Sequence, residues 1–177
     1  VYSSFILGDS IRFFDPPNAV ISQNILDRGG TAEAADDFVV PVGDRWVLQA
    51  VEILGAFSRS GAGFQFATVN IRADDNNKPG SVIFTDTTLV NNGPNFYVVL
   101  RDTIGLNPGR YWLNFVVNMP MGADSSFFAW ATTPIPRGSV FHWRDPVNIL
   151  RRNVPQWAPG NLNGIGGGHP DLVFELV

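Results

Sequence analysis

A few side chains in this 177-residue sequence are of the types that chemistry requires. The run Asp74-Asp75-Asn76-Asn77 offers hard oxygen donors, and Asp74 and Asp75 are the carboxylates that would hold Ca²⁺ on a loop. The run lacks the EF-hand register and a downstream bidentate glutamate. A polar turn, in which Asp and Asn bond nearby backbone N–H groups, accounts for the same residues. Asp36-Asp37 reads in the same way, as acidic capping at a strand start. His142 and His169 are the only histidines, and no third ligand stands at a recognised spacing from them. The absence of cysteine excludes thiol catalysis, disulfides and Cys-based zinc sites. No Gly-x-Ser-x-Gly elbow occurs. Nothing in the pattern pairs Glu33, Glu52 or Glu175 with a second carboxylate across a cleft, as glycoside hydrolysis requires. The glycine-rich stretch at 164–168 lacks the Lys-Ser/Thr of a phosphate loop and opens no helix. The expectation is a protein without a catalytic centre and without a resident cofactor, Ca²⁺ at Asp74 and Asp75 excepted.

Aromatic rings are the other candidate machinery. Of the five tryptophans, Trp46, Trp112 and Trp130 fall within or at the start of extended runs, where they can fill the space between sheets. Trp143 and Trp157 lie in the less regular C-terminal third. They are the candidates for stacking on pyranose rings of a polysaccharide, although packing explains them too.

The elements that must position these groups are strands. Lys78 is the sole lysine, glutamate is scarce, and 13 prolines and 18 glycines interrupt the chain. No window sustains helical periodicity; residues 29–37 have room for one helical turn. Period-2 alternation marks 46–57, 64–73, 95–101 and 111–118 as strands, with shorter ones at 19–26, 37–40, 127–132, 140–143 and 172–177. Residues 1–7 and 11–14 are weaker strands. Lys78-Pro79-Gly80-Ser81 fits a type II turn, and Asn107-Pro108-Gly109-Arg110 follows the same logic. The expected architecture is all-β: one antiparallel β-sandwich of jelly-roll type spanning 1–177. Residues 1–18 form an N-terminal extension or strand, and 145–170 form a long irregular segment.

Net charge is −4, and charged residues make up 16% of the chain, below the usual ~25%. That argues against a nucleic-acid footprint. The longest uncharged apolar stretch, residues 111–123, is too short to span a bilayer, so no membrane insertion is expected. The polar, lysine-poor composition suits the cell exterior, and an opening at Val1 reads as a mature, exported form.

Several strings resemble a β-sandwich domain of secreted, surface-anchored bacterial proteins. They are Ala35-Asp36-Asp37-Phe38-Val39-Val40-Pro41, Trp46, Val51-Glu52-Ile53-Leu54-Gly55, the Pro79-Gly80 pair, and Leu106-Asn107-Pro108-Gly109-Arg110-Tyr111-Trp112-Leu113. The resemblance continues at Trp130, Trp143-Arg144-Asp145-Pro146, Trp157 and Asp171-Leu172-Val173-Phe174. It implies a secreted or surface location and no defined catalytic residues. The N-terminal segment adds a second expectation. Phe5, Ile6, Leu7, Ile11, Phe13 and Phe14 are more apolar than a free tail tolerates. They either pair within their own sandwich or contact a neighbouring subunit by strand addition. The function expected is an extracellular structural or adhesive subunit that self-associates into a homopolymer. The alternative is a carbohydrate-binding module using exposed tryptophans.

Overall fold

The computed structural model describes residues 2–3, 19–58, 66–88, 95–123, 125–161 and 165–177. Its strands are β1 (Tyr2–Ser3), β2 (Ala19–Ile21), β3 (Gln23–Ile25), β4 (Gly30–Val40), β5 (Trp46–Phe57), β6 (Phe66–Asp74) and β7 (Pro79–Thr88). They continue with β8 (Asn95–Leu106), β9 (Gly109–Met119), β10 (Phe128–Thr133), β11 (His142–Arg144), β12 (Ala158–Pro159), β13 (Asp171–Leu172) and β14 (Phe174–Leu176). One layer runs β2-β10-β5-β8 and the other β4-β9-β6-β7. From β4 to β10 the chain changes layer at every connection except β6–β7. This is the strand order of a jelly roll, so the fold is an all-β sandwich. β14 and β1 extend the first layer; β11 and β12 extend the second.

Inward positions explain why the layers adhere. Val69 and Ile71 of β6, Phe96 and Val98 of β8, and Leu113, Phe115 and Val117 of β9 alternate into one core with Phe128, Trp130 and Phe174. The rings of Phe96, Phe115 and Phe128 meet edge-on or tilted at 5.2–5.7 Å. Each fully buried large side chain contributes roughly 1.5–3 kcal/mol. In β5 the simple alternation fails. Gln49 and Ala50 both donate backbone N–H groups to the Val177 carbonyl, and the register against β8 shifts between Leu48 and Ala50. This bulge turns Leu48 to the same side as Val51 and Ile53, while Leu54 packs outside with Ala131 and Val173.

Three expectations need correction. Residues 29–37 hold no helical turn: Gly30 opens an 11-residue strand, because its backbone is paired with β3, β9 and β11, with Ala32, Ala34 and Ala35 fully buried. Pro79-Gly80 is not the turn but the start of β7. The reversal uses Asn76 and Asn77, both left-handed at φ 54° and 62°, which is the conformation of a type I′ hairpin. Residues 19–26 are broken at Ser22, where the chain leaves β2 in one layer for β3 in the other. The Ser22 hydroxyl donates to the Phe115 carbonyl and accepts from the Ala34 N–H at 3.1 Å. Asp145 opens the irregular stretch and is fully buried; its carboxylate accepts from the N–H groups of Ile149 and Leu150 at 2.8 and 2.7 Å.

Candidate functional site, an arginine-lined cavity at Trp157

Sheet register brings four distant residues together on the outer face of the second layer. Glu33 lies between the core residues Ala32 and Ala34 and faces away from them; Arg144 is its cross-strand partner on β11. Arg72 projects outward from β6 beside the inward-facing Ile71. Trp157 immediately precedes β12, which pairs with β11. The Glu33 carboxylate accepts from Arg144 Nε at 2.7 Å and stands 2.6 Å from Arg144 Nη2, and its other oxygen lies 3.6 Å from Arg72 Nη2. Arg72 is further fixed by donating Nε to Asn114 Oδ1 and Nη1 to the Gly80 carbonyl. Burial lowers the Arg72 pKa, opposed by the Glu33 charge, while the Arg144 charge lowers it further. Both guanidinium groups lie over the Trp157 indole, at 4.4 Å for Arg144 and 5.3 Å for Arg72.

Trp157 and these arginines line an open cavity of about 250 Å³, completed by Asp75, Lys78, Pro79, Gly80 and Gln156. Lys78 pairs with Asp75 at 3.4 Å, and both side chains are half exposed. A second cavity of about 260 Å³ lies on the other layer, lined by Arg45, Trp46, Val47, Leu48, Leu106, Leu176 and Val177.

Of the two tryptophans singled out for sugar stacking, Trp157 reaches a cavity and Trp143 does not. Trp143 is 2% exposed, faces the core from β11, and donates its indole N–H to the Ile21 carbonyl at 2.9 Å. A ring closed into the sandwich has no face to offer a sugar. The alternation of β11 places Trp143 inward and Arg144 outward, which could be read from sequence only once β11 was paired with β4.

Asp74 and Asp75 sit at the hairpin joining β6 to β7. Asp74 accepts from the Trp112 indole N–H at 2.8 Å and from the Asn77 N–H at 3.3 Å. Asp75 accepts from the Asn76 amide at 3.0 Å as well as pairing with Lys78. These are the contacts of a polar turn. Among the described residues no group of three or more His, Cys, Asp or Glu is placed to hold a metal ion. The histidines are separated: His142 Nδ1 is 3.0 Å from the Val140 carbonyl and its ring meets Trp112 edge-on, while His169 Nδ1 is 3.0 Å from Thr132 Oγ1.

Sequence reasoning missed a cluster of buried carboxylates. Asp36, Asp37 and Asp171 are each at most 3% exposed. Asp36 accepts from the Leu172 N–H at 2.7 Å, Asp37 from the Ser139 N–H at 2.6 Å, and Asp171 from the Arg137 N–H. Arg110 Nε stands 3.4 Å from Asp37. Asp171 Oδ1 is buried without a hydrogen-bond partner. Burial raises all three carboxyls above the usual range, Asp171 to about 6; the Asp171 charge adds to the rise at Asp36, and the Asp37 charge to that at Asp171. The cluster lines neither cavity, and its hydrogen bonds join β4 to β13 and to residues 137–139.

Tyr2 and Ser3 pair with Leu176 and Glu175 of the same chain. Phe5, Ile6, Leu7, Ile11, Phe13 and Phe14, the predicted subunit contacts, lie outside the described residues. No family model, curated protein or solved structure matches this chain.

Proposed function

We propose that this chain is a non-catalytic adhesive module of the cell exterior that holds a polysaccharide at the Trp157 cavity. The observation that carries the reading is a half-buried indole set in an open cavity among fixed polar groups. Arg72 and Arg144 lie over the ring, so a sugar would meet the indole where they leave it uncovered, gaining contact area at low entropic cost while the neighbouring polar groups fix orientation. The low-charge surface and the resemblance to secreted β-sandwich domains support the location. The test is retention of the protein on a panel of immobilised polysaccharides, with Trp157→Ala beside the wild type. Selective retention that Trp157→Ala abolishes is expected. Retention of neither protein, or equal retention of both, refutes the reading.

A second reading, self-association with a second copy, is favoured by the two sheet edges β7 and β8, which Asp86 of β7 bridges by accepting from the Arg101 backbone N–H at 2.6 Å and from Arg101 Nε at 2.7 Å. Among the described residues β7 pairs only with β6 and β8 only with β5. These edges carry exposed Val82, Ile83, Tyr97 and Val99, with no lysine within either strand. Sedimentation velocity tests it: association should rise with concentration and be abolished in Ile83→Lys, and a monomer at every concentration rejects it.

A further inference from the structure

We infer that the Trp157 cavity takes an acidic sugar, one carrying a carboxylate or a sulfate ester, in preference to a neutral one. The inference rests on the glycan-binding reading above and names the ligand class for that site.

The first argument is the balance of charge. The cavity lining carries Arg72, Arg144 and Lys78 against Asp75, and Glu33, which bonds both arginines, is the remaining anion. One positive charge is left over. The second argument is the direction of the hydrogen bonds. The lining offers the guanidinium and ammonium groups as donors, the Gln156 amide as both donor and acceptor, and the Asp75 carboxylate as an acceptor already engaged by Lys78 and the Asn76 amide. The Gly80 carbonyl already accepts from Arg72. Neutral sugars present hydroxyls that need acceptors as well as donors, whereas a carboxylate or sulfate only accepts. The third argument is preorganisation. Glu33 is buried and holds Arg144 through Nε and Nη2, while Arg144 Nη1 has no partner among the described residues. The guanidinium is thus fixed over the indole with one edge unspent, and Lys78 can turn from its exposed pair with Asp75 toward an incoming anion. A group held in this way meets an anion without further ordering cost.

Titration calorimetry would use three probes at low salt: a uronic-acid oligosaccharide, the same oligosaccharide with its carboxyls reduced to alcohols, and an O-sulfated form of that reduced compound. Variants Arg144→Gln and Lys78→Gln would be run alongside, with near-UV circular dichroism to establish that each retains the wild-type fold. At least one anionic probe should bind about tenfold or more tighter than the reduced one, as a charge-assisted hydrogen bond predicts. Each variant should lose roughly tenfold more affinity for that anionic probe than for the reduced probe. Raising ionic strength should weaken only anionic binding. Preference for the uronate or for the sulfated form each supports the inference and identifies the source of the anion. Equal affinity for reduced and anionic forms overturns the inference but leaves the glycan reading intact. Binding of none of the probes overturns both. If Arg144→Gln proves misfolded, Lys78→Gln, on an exposed turn, decides alone: an unchanged anionic affinity there also overturns the inference.

Discussion

Replacing Asp171 by Asn should stabilise the protein at neutral pH and do nothing at acid pH. Asp171 is 3% exposed, one of its oxygens has no hydrogen-bond partner, and burial together with the Asp37 charge pushes its carboxyl up to about 6. Asp36 is shifted the same way, by burial first and by the Asp171 charge second, while Arg110 faces Asp37 and the Arg137 charge opposes the rise at Asp171. A carboxyl whose folded pKa lies above its unfolded value stabilises the fold while protonated. Its contribution is complete below about 3.8 and is lost as pH rises through about 6. A shift from 3.8 to about 6 corresponds to about 3 kcal/mol at 1.36 kcal/mol per unit. Screening by solvent and by the neighbouring arginines reduces this to roughly 1–2 kcal/mol. An Asn carboxamide keeps an oxygen for the Arg137 N–H and turns an NH₂ toward the remaining carboxylates. Urea unfolding followed by tryptophan fluorescence, at pH 4 and pH 7.5, measures the difference. Asp171→Asn should exceed the wild type by about 1–2 kcal/mol at pH 7.5, roughly 2–8 °C in melting temperature, with no gain at pH 4. A variant less stable than wild type at pH 7.5, or equally stabilised at both pH values, would refute the reasoning.

Other outcomes follow from the same geometry. A Cβ added at Gly160 would lie 2.1 Å from the Phe141 ring, so Gly160→Ala should cost about 1–3 kcal/mol by chemical denaturation. Trp130, fully buried with its indole N–H on the Val173 carbonyl at 2.9 Å, should lose about 3–5 kcal/mol on truncation to Ala, enough to shift the urea midpoint strongly. At the hairpin, Asn77→Gly should be neutral or mildly stabilising and Asn77→Val clearly destabilising in thermal melts, because φ of 62° excludes a β-branched residue.

The strands with clean alternation were legible because one face of each is apolar: β6, β8 and β9 present to the core the residues that period two assigns. Legibility failed where tertiary context overrode local chemistry. Residues 29–37 left room for a helical turn, yet pairing with β3, β9 and β11 draws them into a strand whose alanines are fully buried. β7 was not recognised as a strand, because Pro79-Gly80 carries a stronger turn signature than Asn76-Asn77 and because its exposed Val82 and Ile83 break the alternation. The site was half legible. Trp157 could be singled out as an aromatic ring in an irregular stretch, but Glu33, Arg72 and Arg144 could not be joined to it. They lie on three different strands, and only the pairing of β11 with β4 and the reach of Arg72 across β9 bring them together. Each is a charged residue at an outward position of a strand that also carries other polar residues, so nothing in the sequence set them apart as a group. The cluster of Asp36, Asp37 and Asp171 was hidden for a related reason: adjacent acids read as a solvated strand start, while the fold closes them in.

The central claim, that Trp157 marks the binding site, is tested most directly by following the tryptophan indole ¹⁵N–¹H resonances while an acidic oligosaccharide is added. The indole N–H groups of Trp112, Trp130 and Trp143 are held by Asp74, Val173 and Ile21, and Trp46 lines the opposite cavity. The account predicts a saturable shift of the Trp157 resonance with the other four unmoved. A saturable shift at Trp46 with Trp157 stationary would contradict it and move the site to the other layer.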